Sequence, residues 1–229
     1  MDVYGTALAD YYYRRPADTL WLHNSYHEPE EMPVDIFFRE KADMSDMERI
    51  ALTQCRGQIL DVGAGVGCHS LELQKSGQQV TALEISAMAT QIMQQRGIQN
   101  IINSDLFQLE NQHYDTLLFL MNGIGLTGTI NGLRDFLFHA HQLVNPGGQL
   151  LFDSSDIRYL YEEGIPLPSG GYYGEIRYQY EYKNERGPWF NWLYVDQNTL
   201  ATLAAEAGWK MQILLEDETD QYLAQLTRN

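Results

Sequence analysis

Short apolar runs set off by glycine and polar turns alternate along this chain with segments of helical period. Ile59-Leu60 and Val62 make the first such run, and Leu71-Glu72-Leu73-Gln74-Lys75-Ser76 after it predicts a helix closed by Gly77. Gln79–Ile85 predicts a second strand, after which Ser86 can cap a helix through Met88, Ile92 and Met93 that stops at Gly97. Ile98–Asn103 reads as a third strand. Tyr114–Met121 becomes continuously apolar, the mark of a strand buried on both faces. Leu133, Phe136, Leu137, Ala140, Leu143 and Val144 share a helical face, and the turn Asn145-Pro146-Gly147-Gly148 leads into a fifth strand at Gln149–Phe152. Strands alternating with helices in this way predict a parallel sheet.

Both ends depart from that alternation. Glu175–Lys183 alternates strictly, with Ile176, Tyr178, Tyr180 and Tyr182 on one face, and Trp189–Val195 follows a polar turn. Together they predict an antiparallel ribbon inserted after strand five. A helix from Asp196 or Asn198 to Ala207 and two strands at Lys210–Leu215 and Gln221–Leu226 close the chain. Residues 1–56 are aromatic and polar together, and Met44, Met47, Ile50 and Ala51 predict a helix before the first strand.

Composition narrows the function. The 229 residues, 44% hydrophobic, suit one domain. With 31 acidic against 15 basic residues the net charge is −16, which disfavours a nucleic-acid partner. No apolar run is long enough to span a membrane, and the lack of a basic, apolar leader points to the cytoplasm. Two cysteines, Cys55 and Cys68, do not make a disulfide framework, and no ligand spacing for a metal is present.

The chemistry gathers at Asp61-Val62-Gly63-Ala64-Gly65-Val66-Gly67, between the first strand and its helix. Glycine permits the sharp turn and the close approach of a ligand, and the helix end offers free N–H groups to it. A dinucleotide fingerprint would place its third glycine at position 68, where Cys68 stands. The spacing G-x-G-x-G with Asp61 two residues ahead, and Glu84 ending the second strand, resembles instead the class I S-adenosylmethionine-dependent methyltransferases. The resemblance implies a Rossmann-like methyltransferase fold: a mostly parallel seven-stranded sheet with helices on both faces and a C-terminal antiparallel hairpin. To it the pattern adds the inserted β-ribbon and an N-terminal helical lid. A single domain spanning 1–229 then divides into a lid (1–56), a cofactor-binding sheet (57–152), a substrate ribbon (153–195) and a closing helix and hairpin (196–229).

By the same resemblance S-adenosyl-L-methionine is the cofactor. Asp61, Gly63, Ala64, Gly65 and Gly67 form its loop, and Glu84, followed by Ile85, meets the ribose hydroxyls. Asp105 and Leu106 meet the adenine, and Met121 and Asn122 border the methyl-transfer site. The glycine turn, Glu84, Asp105 and Asn122 all fall at predicted strand ends, where ligands of parallel sheets bind. The acceptor reads as a small molecule, with Tyr26, Tyr172, Trp192 and Tyr194 available as walls and Asn122, His23 and Asp153 as catalytic candidates. Asn122 is followed by Gly123-Ile124-Gly125 and not by the N/D-P-P-Y/F signature of many amino-methylating enzymes. A non-catalytic S-adenosylmethionine-binding module and a nicotinamide-dependent oxidoreductase are the alternatives. The acceptor's identity and the oligomeric state are not legible.

Overall fold

The computed structural model describes residues 2–162, 166–167 and 170–228. Parts of the inserted segment expected at 153–195, residues 163–165 and 168–169, lie outside the described residues. In chain order the helices are α1 (Val3–Tyr12), α2 (Asp46–Gln54), α3 (Cys68–Lys75), α4 (Ala87–Gln95), α5 (Ile130–Leu143), α6 (Tyr159–Glu162) and α7 (Gln197–Glu206). The strands are β1 (Trp21–Asn24), β2 (Glu30–Glu31), β3 (Gln58–Val62), β4 (Gln79–Glu84), β5 (Ile101–Asn103), β6 (Tyr114–Phe119), β7 (Val144–Ser155), β8 (Glu175–Tyr182), β9 (Glu185–Arg186), β10 (Phe190–Leu193), β11 (Trp209–Glu216) and β12 (Gln221–Arg228).

Seven strands form the main sheet in the order β11-β12-β7-β6-β3-β4-β5. The five from β7 to β5 run parallel, and β12 pairs antiparallel with both β7 and β11. Leu117, Leu118 and Phe119 on β6 are fully buried, as the unbroken apolar run requires of a central strand covered on both faces. Leu117 and Phe119 pack with α5 and α7 residues such as Phe136 and Leu203, whereas Leu118 packs with Met47 and Ala51 of α2. The helix starts follow their caps: Ser45 and Glu48 make a reciprocal capping box on α2, and the Ser86, Thr129 and Asp196 side chains accept N–H bonds from α4, α5 and α7.

A second, antiparallel sheet has the order β10-β8-β1-β2, with β9 also paired to β8. β8 and β10 are the expected ribbon. The N-terminal segment is helical at α1 and α2, and between them it adds β1 and β2 to that ribbon. Leu22 stands opposite Tyr180 and Asn24 opposite Tyr178. The third strand is shorter than expected, Ile101–Asn103, because Ile98 is turned instead into a pocket against Gly67 and Met93.

Candidate active site

The glycine loop leaves β3 at Val62 and is pinned to its neighbour, since Gly63 and Ala64 both donate N–H bonds to the Leu83 carbonyl, at 2.9 and 3.0 Å. Gly65 has φ +55°, and a Cβ there would lie 3.1 Å from the Tyr4 hydroxyl. Gly67 has φ +80°, and its Cβ would collide with Ile98 Cδ1 at 2.0 Å. These positions need glycine for both conformation and space. Asp61 is buried beneath the loop and accepts the Ser70 hydroxyl at 2.6 Å, tying β3 to α3; burial raises its carboxyl above the usual range.

Glu84 ends β4 with its carboxylate turned toward the loop. One oxygen accepts from the Gly65 N–H and the other from the Ser86 N–H, both at 2.8 Å. Burial pushes this carboxyl up to about 6 against those bonds. A carboxylate offers about four acceptor positions, so two remain for a ligand's hydroxyls. Beside it Ile85 leaves 70% of its surface exposed, an apolar platform next to a polar clasp. Asn103 donates to the Glu84 and Ile85 carbonyls at 2.8 and 2.9 Å and fixes both. Asp105 caps the following 3-10 turn by accepting from the Phe107 N–H at 2.8 Å, and Leu106 is buried in the core.

Past β6 the backbone is strained. Met121 and Asn122 have φ of +64° and +54°, two consecutive non-glycine residues in the left-handed region. Asp153 on β7 accepts the Asn122 N–H at 2.8 Å and the Gln221 amide at 2.7 Å through one oxygen. Its other oxygen is buried with no partner among the described residues, and burial pushes the carboxyl up to about 6. The Asn122 side-chain oxygen accepts from Ser155 Oγ at 2.9 Å.

Helix α1 and the second sheet cover this region. Tyr4 stacks on Tyr180 at 5.3 Å and meets the edge of Phe37 at 5.2 Å, above Gly65. A cavity of about 680 Å³ opens on the β8 side, with Asn122 and Ser155 at the ends of β6 and β7 among its lining residues. Tyr26 and Tyr194 line it, joined by Tyr178 of β8 and Tyr159 of α6.

Two of the four expected wall residues are elsewhere. Tyr172 donates its hydroxyl to Asp196 at 2.6 Å and accepts the Asp196 N–H at 2.8 Å, so it serves the start of α7. Trp192 packs onto Gly125, whose Cβ would fall 2.1 Å from the indole nitrogen. His23 is not brought to the site: it stands opposite Gln179, on the face of the second sheet away from Tyr178, and pairs with Glu181 at 2.8 Å. Asp153 is near, but as a buried prop of the Asn122 backbone.

One group was missed. Arg39 Nη2 and His69 Nε2 both bond Glu48 Oε1, at 2.6 and 2.7 Å. Burial disfavours the Glu48 charge, but the His69 bond, the Ser45 N–H and the charges of His69 and Arg39 prevail and hold the carboxyl down at about 2. His69 lies in the first turn of α3, so the network braces the glycine loop from behind. Its one sequence signal was Glu48 three residues after Ser45, which reads as a cap alone.

The profile of a family described as methyltransferase domain matches residues 37–213. The structure of a SAM-dependent methyltransferase from Bacteroides fragilis, in complex with S-adenosyl-L-homocysteine, is 40% identical, with a TM-score of 0.91 over 99% of this chain and 94% of that one. The CcbJ methyltransferase of Streptomyces caelestis, 12% identical with a TM-score of 0.62 over 83% of this chain and 99% of its own, shares the fold. Demethylmenaquinone methyltransferase of Tropheryma whipplei is 30% identical over 100 residues, which is 41% of this chain and 40% of that protein. The matched stretch therefore spans less than half the length of these curated relatives. The chain belongs to the S-adenosylmethionine-dependent methyltransferases, and its cofactor is S-adenosyl-L-methionine. No helix among the described residues is long and apolar enough to cross a membrane.

Proposed function

We propose that the chain methylates a small-molecule acceptor seated in the 680 Å³ cavity, with the cofactor on the loop from Gly63 to Gly67. The observation that carries this reading is the position of Asn122. It belongs to the lining of the cavity and also sits on the turn that follows β6, the strand beside the one that feeds the glycine loop. A cofactor on the loop and an acceptor in the cavity would thus meet at one strained turn.

The residues fit the cofactor. Glu84 keeps acceptor positions free for the ribose hydroxyls, the exposed Ile85 offers apolar surface to the adenine whereas Leu106 is spent in the core, and Asp105 has a second oxygen for the adenine amino group. The loop from Gly63 to Gly67, underpinned by Asp61, carries three glycines at positive φ, whose lack of a Cβ admits close approach of a ligand. Met121 and Asn122 border the methyl group. When bound, the cofactor supplies a methyl group on a sulfonium, ready for in-line displacement. The protein's own part is alignment and exclusion of water, and orientation alone supplies about 7–11 kcal/mol of barrier lowering. Asn122 and the tyrosine rings orient the acceptor, Asp153 holds the Asn122 backbone as a positioning residue, and Tyr4, Phe37 and Tyr180 close the loop off from solvent. The net charge of −16 argues against a nucleic-acid acceptor. Two free, buried cysteines suit a cytoplasmic setting.

Release of S-adenosylhomocysteine on incubation with fractions of a metabolite extract tests this reading. Activity should be found in a small-molecule fraction and should fall in Tyr194→Ala. Activity only in a macromolecular fraction refutes the small-molecule acceptor, and binding of cofactor with no release from any fraction leaves a binding module.

A further inference from the structure

We propose that the acceptor is a small amine with an apolar body, drawn in through an acidic rim and held among tyrosine rings; this rests on reading the cavity as the acceptor site. Glu30, Glu218 and Asp220 belong to the lining of the cavity, and no lysine, arginine or histidine does among the described residues. The carboxylate of Glu30 is held in place, with its Oε1 accepting from Asn24 Nδ2 at 3.1 Å and from the Tyr26 hydroxyl at 3.2 Å. Glu218 and Asp220 lie on the turn between β11 and β12. Asp217 orders that turn by accepting from the Thr219 and Gln221 N–H groups at 2.8 and 3.1 Å. Arg158, adjacent in sequence to a lining residue, sits over the Tyr173 ring at 5.1 Å and is not part of the lining.

Inside this rim are Tyr26, Tyr159, Tyr178 and Tyr194, with the hydroxyls of Tyr178 and Tyr194 3.2 Å apart. Burial makes Tyr26, Tyr178 and Tyr194 weaker acids than usual, so they stay neutral. Neutral rings present negative faces, which attract an ammonium and leave room for an apolar body. Behind the floor, Asp153 adds a buried carboxyl next to Asn122. An acceptor bearing a carboxylate or phosphate would meet three carboxylates and no lining cation among the described residues.

An ammonium has no lone pair, so it first yields a proton to a rim carboxylate or to water. The nitrogen pair then forms the new N–C bond while the S–C bond of the sulfonium breaks. Its electron pair leaves with sulfur, giving S-adenosylhomocysteine and a methylated amine that holds the positive charge until it too loses a proton.

Phenethylamine, phenethyl alcohol and phenylacetate, titrated into protein saturated with S-adenosylhomocysteine, are matched probes of this chemistry. The amine should bind about tenfold more tightly than the alcohol at low salt, with the preference shrinking as salt rises. Phenylacetate should bind most weakly. Replacing Glu30→Gln and Asp220→Asn together should remove most of the amine's preference while leaving affinity for S-adenosylhomocysteine unchanged. Equal or tighter binding of the alcohol or the acid, no binding of the amine, or a preference untouched by the double replacement overturns the proposal. The reading of the cavity fails separately, whatever the amines do, if Tyr194→Ala leaves extract-supported release of S-adenosylhomocysteine unchanged.

Discussion

Glu84→Gln separates what Glu84 does for the fold from what it does for the cofactor. The carboxyl, ordinarily near 4.5, is pushed up to about 6 by burial. That displacement is a cost of about 2 kcal/mol for holding the charge at neutral pH. Between those two values the native chain binds more proton than the unfolded one. This group's contribution to stability therefore falls as pH rises from 4.5 to 6. Glutamine removes the buried charge but has one acceptor oxygen for two N–H donors, Gly65 and Ser86. The stranded donor costs about 1–3 kcal/mol, so the two effects nearly cancel and stability at neutral pH should change little. Binding should not cancel in this way. Losing a charged acceptor to the ribose hydroxyls costs about 1.5–3 kcal/mol, or about 10- to 150-fold in affinity. In the wild type, affinity should also weaken below pH 6 as the carboxylate takes its proton, by about tenfold at pH 5. Calorimetric titration with S-adenosylmethionine from pH 5 to 8 reads both. A glutamine variant within threefold of wild type, together with a flat wild-type pH profile, refutes the assignment.

Three further perturbations test the surroundings. Gly65→Ala must adopt φ +55° with its Cβ 3.1 Å from the Tyr4 hydroxyl; it should cost about 1–3 kcal/mol in urea unfolding and weaken the cofactor, and an unchanged affinity would remove the loop from the site. Glu48→Gln leaves His69 and Arg39 without their shared counter-charge and should cost about 3–5 kcal/mol in the same assay. Because the Glu48 carboxyl is held down at about 2, its stabilisation is complete above 4.5 and is lost as pH falls toward 2. That part of the acid-unfolding curve should vanish in the variant. Asp153→Asn keeps an acceptor for the Asn122 N–H, so the fold and cofactor affinity should persist while kcat falls through a looser Asn122; unchanged kcat and KM for an acceptor would make Asp153 purely structural.

The parts of the site that were legible are those whose chemistry is local. Gly63, Gly65 and Gly67 all have positive φ, a demand each makes of its own backbone, and Glu84 follows at the end of the next strand; the space that also tells against a Cβ at Gly65 and Gly67 is taken by the distant Tyr4 and Ile98. Asn122 was found by a weaker rule, that ligands gather at strand ends. The Arg39–Glu48–His69 network was not legible, because its members come from three elements and Glu48 already satisfied a capping pattern with Ser45. Asp105 answers a local demand too, capping its own turn, which is why its side chain reads equally as a cap and as a ligand.

His23 shows most clearly where a pattern runs out. Alternation in β8 correctly grouped Ile176, Tyr178, Tyr180 and Tyr182, since a strand's period of two is a property of the strand alone. Which face His23 shares is a property of a pairing: it depends on β1 lying antiparallel to β8 in one register, with His23 opposite Gln179 and Asn24 opposite Tyr178. A slip of one residue would turn His23 toward the tyrosines and Leu22 outward. Burial of Leu22 beside Tyr178 and Ile176 holds the observed register. The same packing that shapes the cavity wall therefore also removes His23 from it. The polar groups left along the cavity are tyrosines, Asn122, Ser155, Thr219 and carboxylates, a set that fits the proposed amine acceptor, which carries its own nucleophilic lone pair.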